Sequence, residues 1–281
     1  MKFVIGVPRS GTSFFSHLLN SVGPVNVHEH LLSLTGFQIL KAARDYSEGK
    51  RSANQIRHLV RCYDFRPEVP IDCNYAITHI LPVVLEEYPE AKFIHLIRDP
   101  RDNVRSCVNQ LDFYGNLFDI PKGESALIKW FVDQNRPWLF QAVKEIHESC
   151  PVFDVPHWAQ MTQLEKNCVY WAESHRVILK NLAARKNYVQ VRLEDFKDNE
   201  GLVKDIFNFL ELPAPKPEKI QRLLGSIVNS SGDPMWSEFN RIKKELGIPL
   251  LPKFSEWSNE DRQTLLKICG PIAKTLGYDL A

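Results

Sequence analysis

The sequence predicts an α/β fold of three layers, in which helices cover both faces of a central parallel β-sheet. Three short apolar segments rich in β-branched residues have the composition of buried strands: residues 2–7, 92–97 and 188–192. Each segment is followed by a polar or charged loop and then by a segment with helical periodicity. Strands that alternate with helices in this way form parallel sheets that are covered on both faces.

The first strand leads into a small polar loop and a helix. Residues 8–13 read PRSGTS, and we expect Thr12 or Ser13 to cap the helix that follows. Free backbone N–H groups and the positive end of a helix converge in such a loop, so the sequence predicts an anion site there. The alternative is an ordinary strand, turn and helix with incidental hydroxyl side chains.

The sequence of this loop nearly matches the P-loop pattern G-x-x-x-x-G-K-S/T, with Gly6 and Gly11 at the two glycine positions. Thr12 stands in place of the lysine that reaches the β- and γ-phosphates of a nucleoside triphosphate. The positive charge lies inside the loop instead, at Arg9. The sequence therefore predicts a P-loop NTPase-like fold, and the missing lysine favours a phosphate-like ligand other than a nucleoside triphosphate.

The remaining helices follow from periodicity and turn signals. A largely helical stretch over residues 31–61 carries basic side chains, a pattern typical of a solvated face. Further helices are expected over residues 80–88, from the loop after residue 97 to about residue 109, and over residues 164–184, 202–210 and 259–276.

The length of 281 residues suits a single domain over residues 1–281. Within it, residues 112–163 are irregular and rich in aromatic residues and prolines. This segment predicts either a lid and acceptor-pocket insertion or a covering subdomain.

Composition excludes several classes of function. Lys and Arg number 35 and Asp and Glu 34, so no overall basic field favours nucleic acid as a partner. No run of eighteen apolar residues predicts a membrane span, and the first strand begins too close to Met1 to leave room for a secretory signal. The six cysteines form no C-x-x-C pair, which favours reduced thiols in a cytoplasmic protein and argues against a zinc site.

A second charged loop follows a buried strand at residues 98–102, which read RDPRD. In a parallel sheet, ligands bind at the carboxyl ends of the strands, where both polar loops are expected to lie. Arg98 can grip a phosphate with two parallel hydrogen bonds. The alternative for Arg98 is an ordinary ion pair with Asp99 or Asp102.

Together, residues 8–13 and residues 98–102 with Ser106 resemble the two nucleotide-binding motifs of the sulfotransferases. That family transfers a sulfuryl group from 3′-phosphoadenosine 5′-phosphosulfate (PAPS) to a hydroxyl or amine. Residues 191–196 (VRLEDF) are close to the family's RYEDL motif, and residues 257–278 give a further likeness near the C-terminus. The similarity is closest to the bacterial and carbohydrate-type branch.

The resemblance implies a role for each residue of the two motifs. The backbone N–H groups of Ser10, Gly11, Thr12 and Ser13 would cradle the 5′-phosphosulfate. Arg9, where many relatives have lysine, would stabilise negative charge on the bridging oxygen as the S–O bond breaks. Arg98 and Ser106 would hold the 3′-phosphate. Family members need no metal, and the sequence shows no constellation that would bind one.

The resemblance also implies a general base, because the acceptor must lose a proton. Glu29 is the first candidate, since the related branch has a glutamate after its first helix, and His28 and His30 flank it. His79 is the second candidate, because residues 78–82 (THILP) resemble the motif that carries the base in the cytosolic branch.

Two departures from the family pattern stand out. Cys73 occupies a position where bacterial relatives often carry lysine, which leaves Arg9 as the main cation beside the sulfuryl group. Leu193 replaces the tyrosine of RYEDL, so another aromatic side chain must stack on adenine.

The expected acceptor is a small molecule, with a bacterial secondary metabolite as one candidate. Two other functions remain open on the sequence. A P-loop kinase or nucleotidase would use the same cradle for a nucleoside triphosphate, and a nucleotide-binding module would keep the fold without turnover.

Overall fold

The computed structural model describes residues 1–20, 26–27, 34–61, 71–109, 155–196, 199–213, 215–226, 243–247 and 249–280. Isolated positions are also described between residues 125 and 153 and at residue 241.

Five strands of the described residues form one parallel sheet in the order β2-β3-β1-β4-β5. Their bounds are β1 Lys2–Ile5, β2 Asn26–Val27, β3 Ile71–Cys73, β4 Lys92–Ile97 and β5 Tyr188–Arg192. The first strand lies at the centre, where Val4 pairs with Cys73 on one side and with Ile94 on the other. The predicted α/β class with a parallel sheet is confirmed.

Two strands were not predicted from the sequence. The second and third strands span two and three residues, too short for an alternating pattern, and Asp72 interrupts the apolar run of β3. The fourth and fifth strands have the predicted bounds, whereas the first ends two residues earlier than predicted.

The helices mostly follow the predicted segments. Their bounds are α1 Thr12–Leu19, α2 Leu34–Ser47, α3 Ala53–Arg61, α4 Leu81–Glu87, α5 Pro100–Asn109, α6 Gln163–Leu182, α7 Glu200–Phe209, α8 Pro217–Ser226 and α9 Asn259–Thr275. Two 3₁₀ helices, Tyr75–Ile80 and Leu193–Phe196, follow β3 and β5 directly. The predicted helix over residues 80–88 is therefore preceded by a 3₁₀ turn.

Helices cover both faces of the sheet. On one face, Val4, Ile94 and Leu96 belong to a buried cluster that α1, α7 and α8 complete, through residues such as Phe15, Phe207 and Ile220. On the other face, Phe3 stacks on Phe93 with ring centroids 5.3 Å apart, and Tyr88 packs beside Phe3. His175 of α6 meets His95 on this second face. The predicted three-layer arrangement is thus confirmed.

The chain divides into two compact units. The first consists of Met1–Arg98 and Ser174–Asn229 and contains the whole described sheet. The second consists of Asp99–Glu173 and Ser230–Ala281. A single sulfotransferase-like domain over residues 1–281 stays a prediction. So does the role of residues 112–163, most of which lie outside the described residues.

Within the second unit, the C-terminal end of α5 is fixed by polar side chains. The Asn109 side chain accepts a hydrogen bond from the Leu251 N–H (2.7 Å) and donates one to the Leu251 carbonyl (2.8 Å). The buried Lys243 ammonium donates to the Asn109 carbonyl. A cation at the last carbonyls of a helix complements the negative end of its dipole, so this contact stabilises the helix that carries Ser106.

No helix in the described part of the chain is both long and apolar enough to span a lipid bilayer.

Candidate nucleotide site

The loop between β1 and α1 is shaped by its two glycines. A Cβ atom at Gly6 would lie 2.6 Å from the Leu96 carbonyl oxygen and 2.7 Å from the Ser10 hydroxyl oxygen. A Cβ atom at Gly11, where φ is +103°, would lie 2.7 Å from a methyl group of Leu193. Only glycine fits these positions, because the loop lies directly on β4 and against the segment that follows β5.

The prediction that Thr12 or Ser13 caps α1 is wrong. Gly11 is the N-cap residue, in the left-handed conformation, and the described residues give the helix no side-chain cap. The first N–H groups of a helix have no partner within the helix. The positive end of the helix dipole at this loop favours an anion.

The side chain of Ser10 strengthens this interpretation. Ser10 is fully buried, and its hydroxyl has no hydrogen-bond partner among the described residues. A buried hydroxyl without a partner is costly, and an anionic ligand oxygen is the acceptor that it lacks. The loop therefore fits a phosphate or phosphosulfate group.

The two predicted motifs meet at Arg98. Its guanidinium NH1 donates a hydrogen bond of 3.0 Å to the backbone carbonyl of Arg9, inside the loop. Arg9 itself has a φ of +66°, a conformation that side chains rarely adopt. The second motif thus supports the backbone of the first, across the carboxyl ends of the neighbouring strands β1 and β4.

The two acidic residues considered as ion-pair partners of Arg98 bind other arginines. Asp99 accepts hydrogen bonds from the Arg101 guanidinium, the shortest of them 2.7 Å, and Asp102 lies 3.8 Å from the Arg105 guanidinium. These pairs stabilise the start of α5.

Ser106 is half-buried in the second turn of α5, within the second compact unit. Its role beside Arg98 stays a prediction.

Of the predicted bases, Glu29, His28 and His30 lie outside the described residues. The second strand ends at Val27, two residues before Glu29 in the chain. His79 lies in the 3₁₀ helix after β3 and is buried, and burial lowers the pKa of its imidazole to about 3. A group with such a pKa is a weak proton acceptor, so the structure provides no activated base at His79.

The segment after β5 supports the loop from a second direction. Arg192 and Asp195 form a two-pronged ion pair with both N···O distances at 2.9 Å. This pair holds the turn in which Leu193 packs against Gly11. In place of the family's tyrosine, Leu193 therefore contributes packing to the cradle.

Among the described residues, no group of three or more His, Cys, Asp or Glu side chains could hold a metal ion.

Comparison with known proteins decides the family. A family model for a sulfotransferase domain matches residues 3–219, which include both motifs. The chain belongs to the sulfotransferase family.

Two solved sulfotransferase structures are similar to this sulfotransferase over its whole length. One is the sulfotransferase domain from the Synechococcus PCC 7002 olefin synthase, with 17% sequence identity, 95% of that chain covered and a TM-score of 0.49. The other is the sulfotransferase domain from the curacin biosynthetic pathway, with 16% identity, 98% of that chain covered and a TM-score of 0.46. A search of curated proteins finds no match.

Two buried polar residues near the cradle of this sulfotransferase were not predicted as part of the site. Thr78 donates a hydrogen bond of 3.2 Å to the Gly6 carbonyl, and Asn74 directly follows β3. A strand of three residues gives no periodic signal, so the sequence did not mark Asn74 as the end of a strand.

Proposed function

We propose that the protein is a PAPS-dependent sulfotransferase that transfers a sulfuryl group to a hydroxyl or amine of a small-molecule acceptor. The observation that carries this proposal is the hydrogen bond from Arg98 to the Arg9 carbonyl. It brings the predicted 3′-phosphate residue to the predicted 5′-phosphosulfate loop in a chain that belongs to the sulfotransferase family.

Each end of the nucleotide has its own binding residues in this proposal. The N–H groups of Ser10 to Ser13 and the positive end of α1 bind the 5′-phosphosulfate, and the Ser10 hydroxyl supplies a further donor. Arg98 and Ser106 bind the 3′-phosphate. The site needs no lysine for a γ-phosphate, which accounts for Thr12 in the place of the P-loop lysine.

PAPS, when bound, supplies an activated sulfuryl group on the 5′-phosphate. Transfer is an in-line displacement, in which the acceptor oxygen or nitrogen forms a bond to sulfur as the bond from sulfur to the bridging oxygen breaks. The acceptor proton passes to the general base, and 3′-phosphoadenosine 5′-phosphate (PAP) leaves. Arg9 stabilises the negative charge that develops on the bridging oxygen.

Glu29 is the proposed base, with His79 as the second candidate. The low pKa of His79 favours the glutamate, because a base works best when its pKa is near the working pH. The carboxyl ends of parallel strands meet at one edge of the sheet. The second strand ends at Val27, two residues before Glu29 in the chain.

The proposal also covers the class of acceptor, the location of the protein and the need for a metal ion. The near-neutral charge of the chain gives no preference for an anionic polymer, so a small molecule is the proposed acceptor, with a secondary metabolite as one candidate. We propose a cytoplasmic location and a reaction without a metal ion, as in the family.

Thermal unfolding with two ligands tests the proposal. A ligand that binds the folded state raises the unfolding midpoint according to its concentration and affinity. We expect PAP to raise the midpoint and ATP with Mg²⁺ to leave it nearly unchanged. A response to ATP with Mg²⁺ alone would contradict the proposal in favour of a kinase or nucleotidase. A response to PAP without sulfate transfer to any of a broad panel of acceptors would indicate a nucleotide-binding module.

A further inference from the structure

Asn74 lies at the carboxyl end of β3, one strand away from the start of the phosphate loop. Its backbone N–H donates a hydrogen bond of 2.9 Å to the Val4 carbonyl, which extends the pairing of β3 with β1 by one residue. The side chain is fully buried. Asn74 is therefore held rigidly at the edge of the sheet where ligands of parallel α/β proteins bind.

The orientation of the Asn74 amide is fixed by a hydrogen bond. The side-chain oxygen accepts from the Ala76 N–H at 2.9 Å and caps the 3₁₀ helix that follows. Only the oxygen of an amide can accept this bond, so the NH₂ group must point the other way. The amide nitrogen is buried and has no acceptor among the described residues.

A second buried donor lies in the adjacent loop. The Ser10 hydroxyl also has no partner in the described part of the chain, and it lies against Gly6. The 3₁₀ helix capped by Asn74 contacts the same glycine, because Thr78 donates to the Gly6 carbonyl. These two buried donors have no acceptors among the described residues, and they follow the neighbouring strands β1 and β3 at one edge of the sheet, so they fit the oxygens of a single anionic ligand.

The order of the strands indicates which part of that ligand Asn74 meets. The phosphate loop follows the central strand β1, Arg98 follows β4 on one side, and Asn74 follows β3 on the other. If the 3′-phosphate is bound on the β4 side and the 5′-phosphate over the loop, the terminal sulfuryl group lies towards β3.

We propose that the Asn74 NH₂ group donates a hydrogen bond to an oxygen of the sulfuryl group of PAPS, an inference that rests on the proposed function. The bond orients the sulfuryl group for displacement. Asn74 itself exchanges no proton and forms no covalent bond, while the sulfuryl group passes from the bridging oxygen to the acceptor.

Binding of PAP and PAPS to variants at residue 74 tests this proposal. PAP lacks the sulfuryl group, so loss of the Asn74 donor should weaken the binding of PAPS and leave the binding of PAP nearly unchanged. In Asn74→Ser the hydroxyl still caps the 3₁₀ helix but is too short to replace the amide NH₂. We expect the dissociation constant of PAPS to rise about tenfold or more, as for a lost hydrogen bond to a charged group, with that of PAP changed less than about threefold.

Asn74→Asp provides a second variant of nearly the same shape. The carboxylate keeps the acceptor for the Ala76 N–H but replaces the donor by a negative charge. The binding of PAPS should therefore weaken more than in Asn74→Ser. Asn199→Asp is the matched control, because Asn199 caps α7 in the same way, by accepting from the Leu202 N–H at 3.0 Å. That variant should bind both nucleotides as the parent protein does.

The outcomes separate this inference from the proposed function. If Asn74→Ser weakens the binding of PAP and PAPS equally, or weakens neither, the sulfuryl contact is overturned and the sulfotransferase proposal stays intact. A parent protein that binds neither nucleotide overturns the proposed function and this inference with it. Thermal midpoints of the variants without ligand check that the fold is preserved.

Discussion

At the scale of single residues, the site depends on positions where no other side chain fits. Gly11 combines a positive φ with a close approach to Leu193, and Gly6 lies against the Leu96 carbonyl. Arg9 adopts a positive φ although it has a side chain. A non-glycine residue in this conformation costs about 1 kcal/mol or more, which is expected where binding requires a fixed backbone.

Gly11→Ala is predicted to destabilise the protein by about 2 kcal/mol, from the strained φ and the contact with Leu193. Gly49→Ala is the matched control, because Gly49 also has a positive φ but a Cβ there would meet no atom within 4 Å. We expect the free energy of unfolding of the control variant to fall by about 1 kcal/mol or less. Urea denaturation measures both values. Equal losses in the two variants would show that the contact with Leu193 is of no consequence.

Glu29→Gln and His79→Gln distinguish the two candidate bases. Loss of a general base typically lowers turnover by about 10²–10⁴-fold, so Glu29→Gln should lower kcat by this factor without changing PAP binding. His79→Gln should lower kcat much less, because the buried imidazole is a weak proton acceptor. Steady-state kinetics with one acceptor measures both. Full turnover in Glu29→Gln, together with a large loss in His79→Gln, would transfer the role to His79.

At the scale of elements, a chain of hydrogen-bonded polar side chains joins β5, β4 and α6, and its two histidines are fully buried. The Gln190 amide donates to the Tyr188 hydroxyl at 3.0 Å. The hydroxyl lies 2.8 Å from Nδ1 of His95, and Nε2 of His95 lies 2.7 Å from Nδ1 of His175. Because the Tyr188 oxygen accepts from Gln190, its O–H can donate to His95, which then donates to His175. Both histidines are neutral in this arrangement.

This chain predicts a loss of stability in acid. Burial lowers the pKa of His175 to about 3, and burial with the neighbouring His175 lowers that of His95 well below its usual value of 6.5. In the unfolded chain both take up protons below pH 6.5, so the unfolded state binds more protons and stability falls as the pH decreases below that value. Protonation linked to His175 should cost about 2 kcal/mol of stability at pH 5 relative to pH 7.5, and His95 should add to this loss.

Urea denaturation between pH 5 and pH 7.5 measures this dependence. His175→Gln keeps an acceptor for His95 but removes one titrating group, so its unfolding free energy should decline less steeply with falling pH than that of the parent protein. Identical slopes in the two proteins would contradict the assignment of a neutral His175.

At the scale of the whole molecule, the sheet is assembled from distant parts of the chain. The fourth strand pairs with β5 along five residues, although the two are separated by more than ninety positions. The first compact unit is accordingly made of two chain segments, Met1–Arg98 and Ser174–Asn229. No contiguous piece of the N-terminal half contains all of its strands.

A fragment of residues 1–162 is therefore predicted not to fold. It lacks β5, α7 and α8, so one edge of β4 and much of one sheet face would be exposed. We expect no cooperative unfolding transition by circular dichroism. Residues 1–162 and 163–281 produced together supply every strand and serve as the control. A cooperative transition in the shorter fragment alone would contradict this prediction.

The sequence by itself determined the fold class, three of the five strands, most of the helices and the two motifs, because these signals are local. The hydrophobic composition and the spacing of apolar residues indicate a buried strand or a helix, and the glycines indicate the loop. Tertiary structure alone decided the strand order, the pairing of Arg98 with the Arg9 carbonyl and the choice of Gly11 as the N-cap residue of α1. It also decided the low pKa of His79 and the isolated donor of Asn74. Each of these depends on neighbours that are distant in the chain, since burial and hydrogen bonding are set by what the fold brings together.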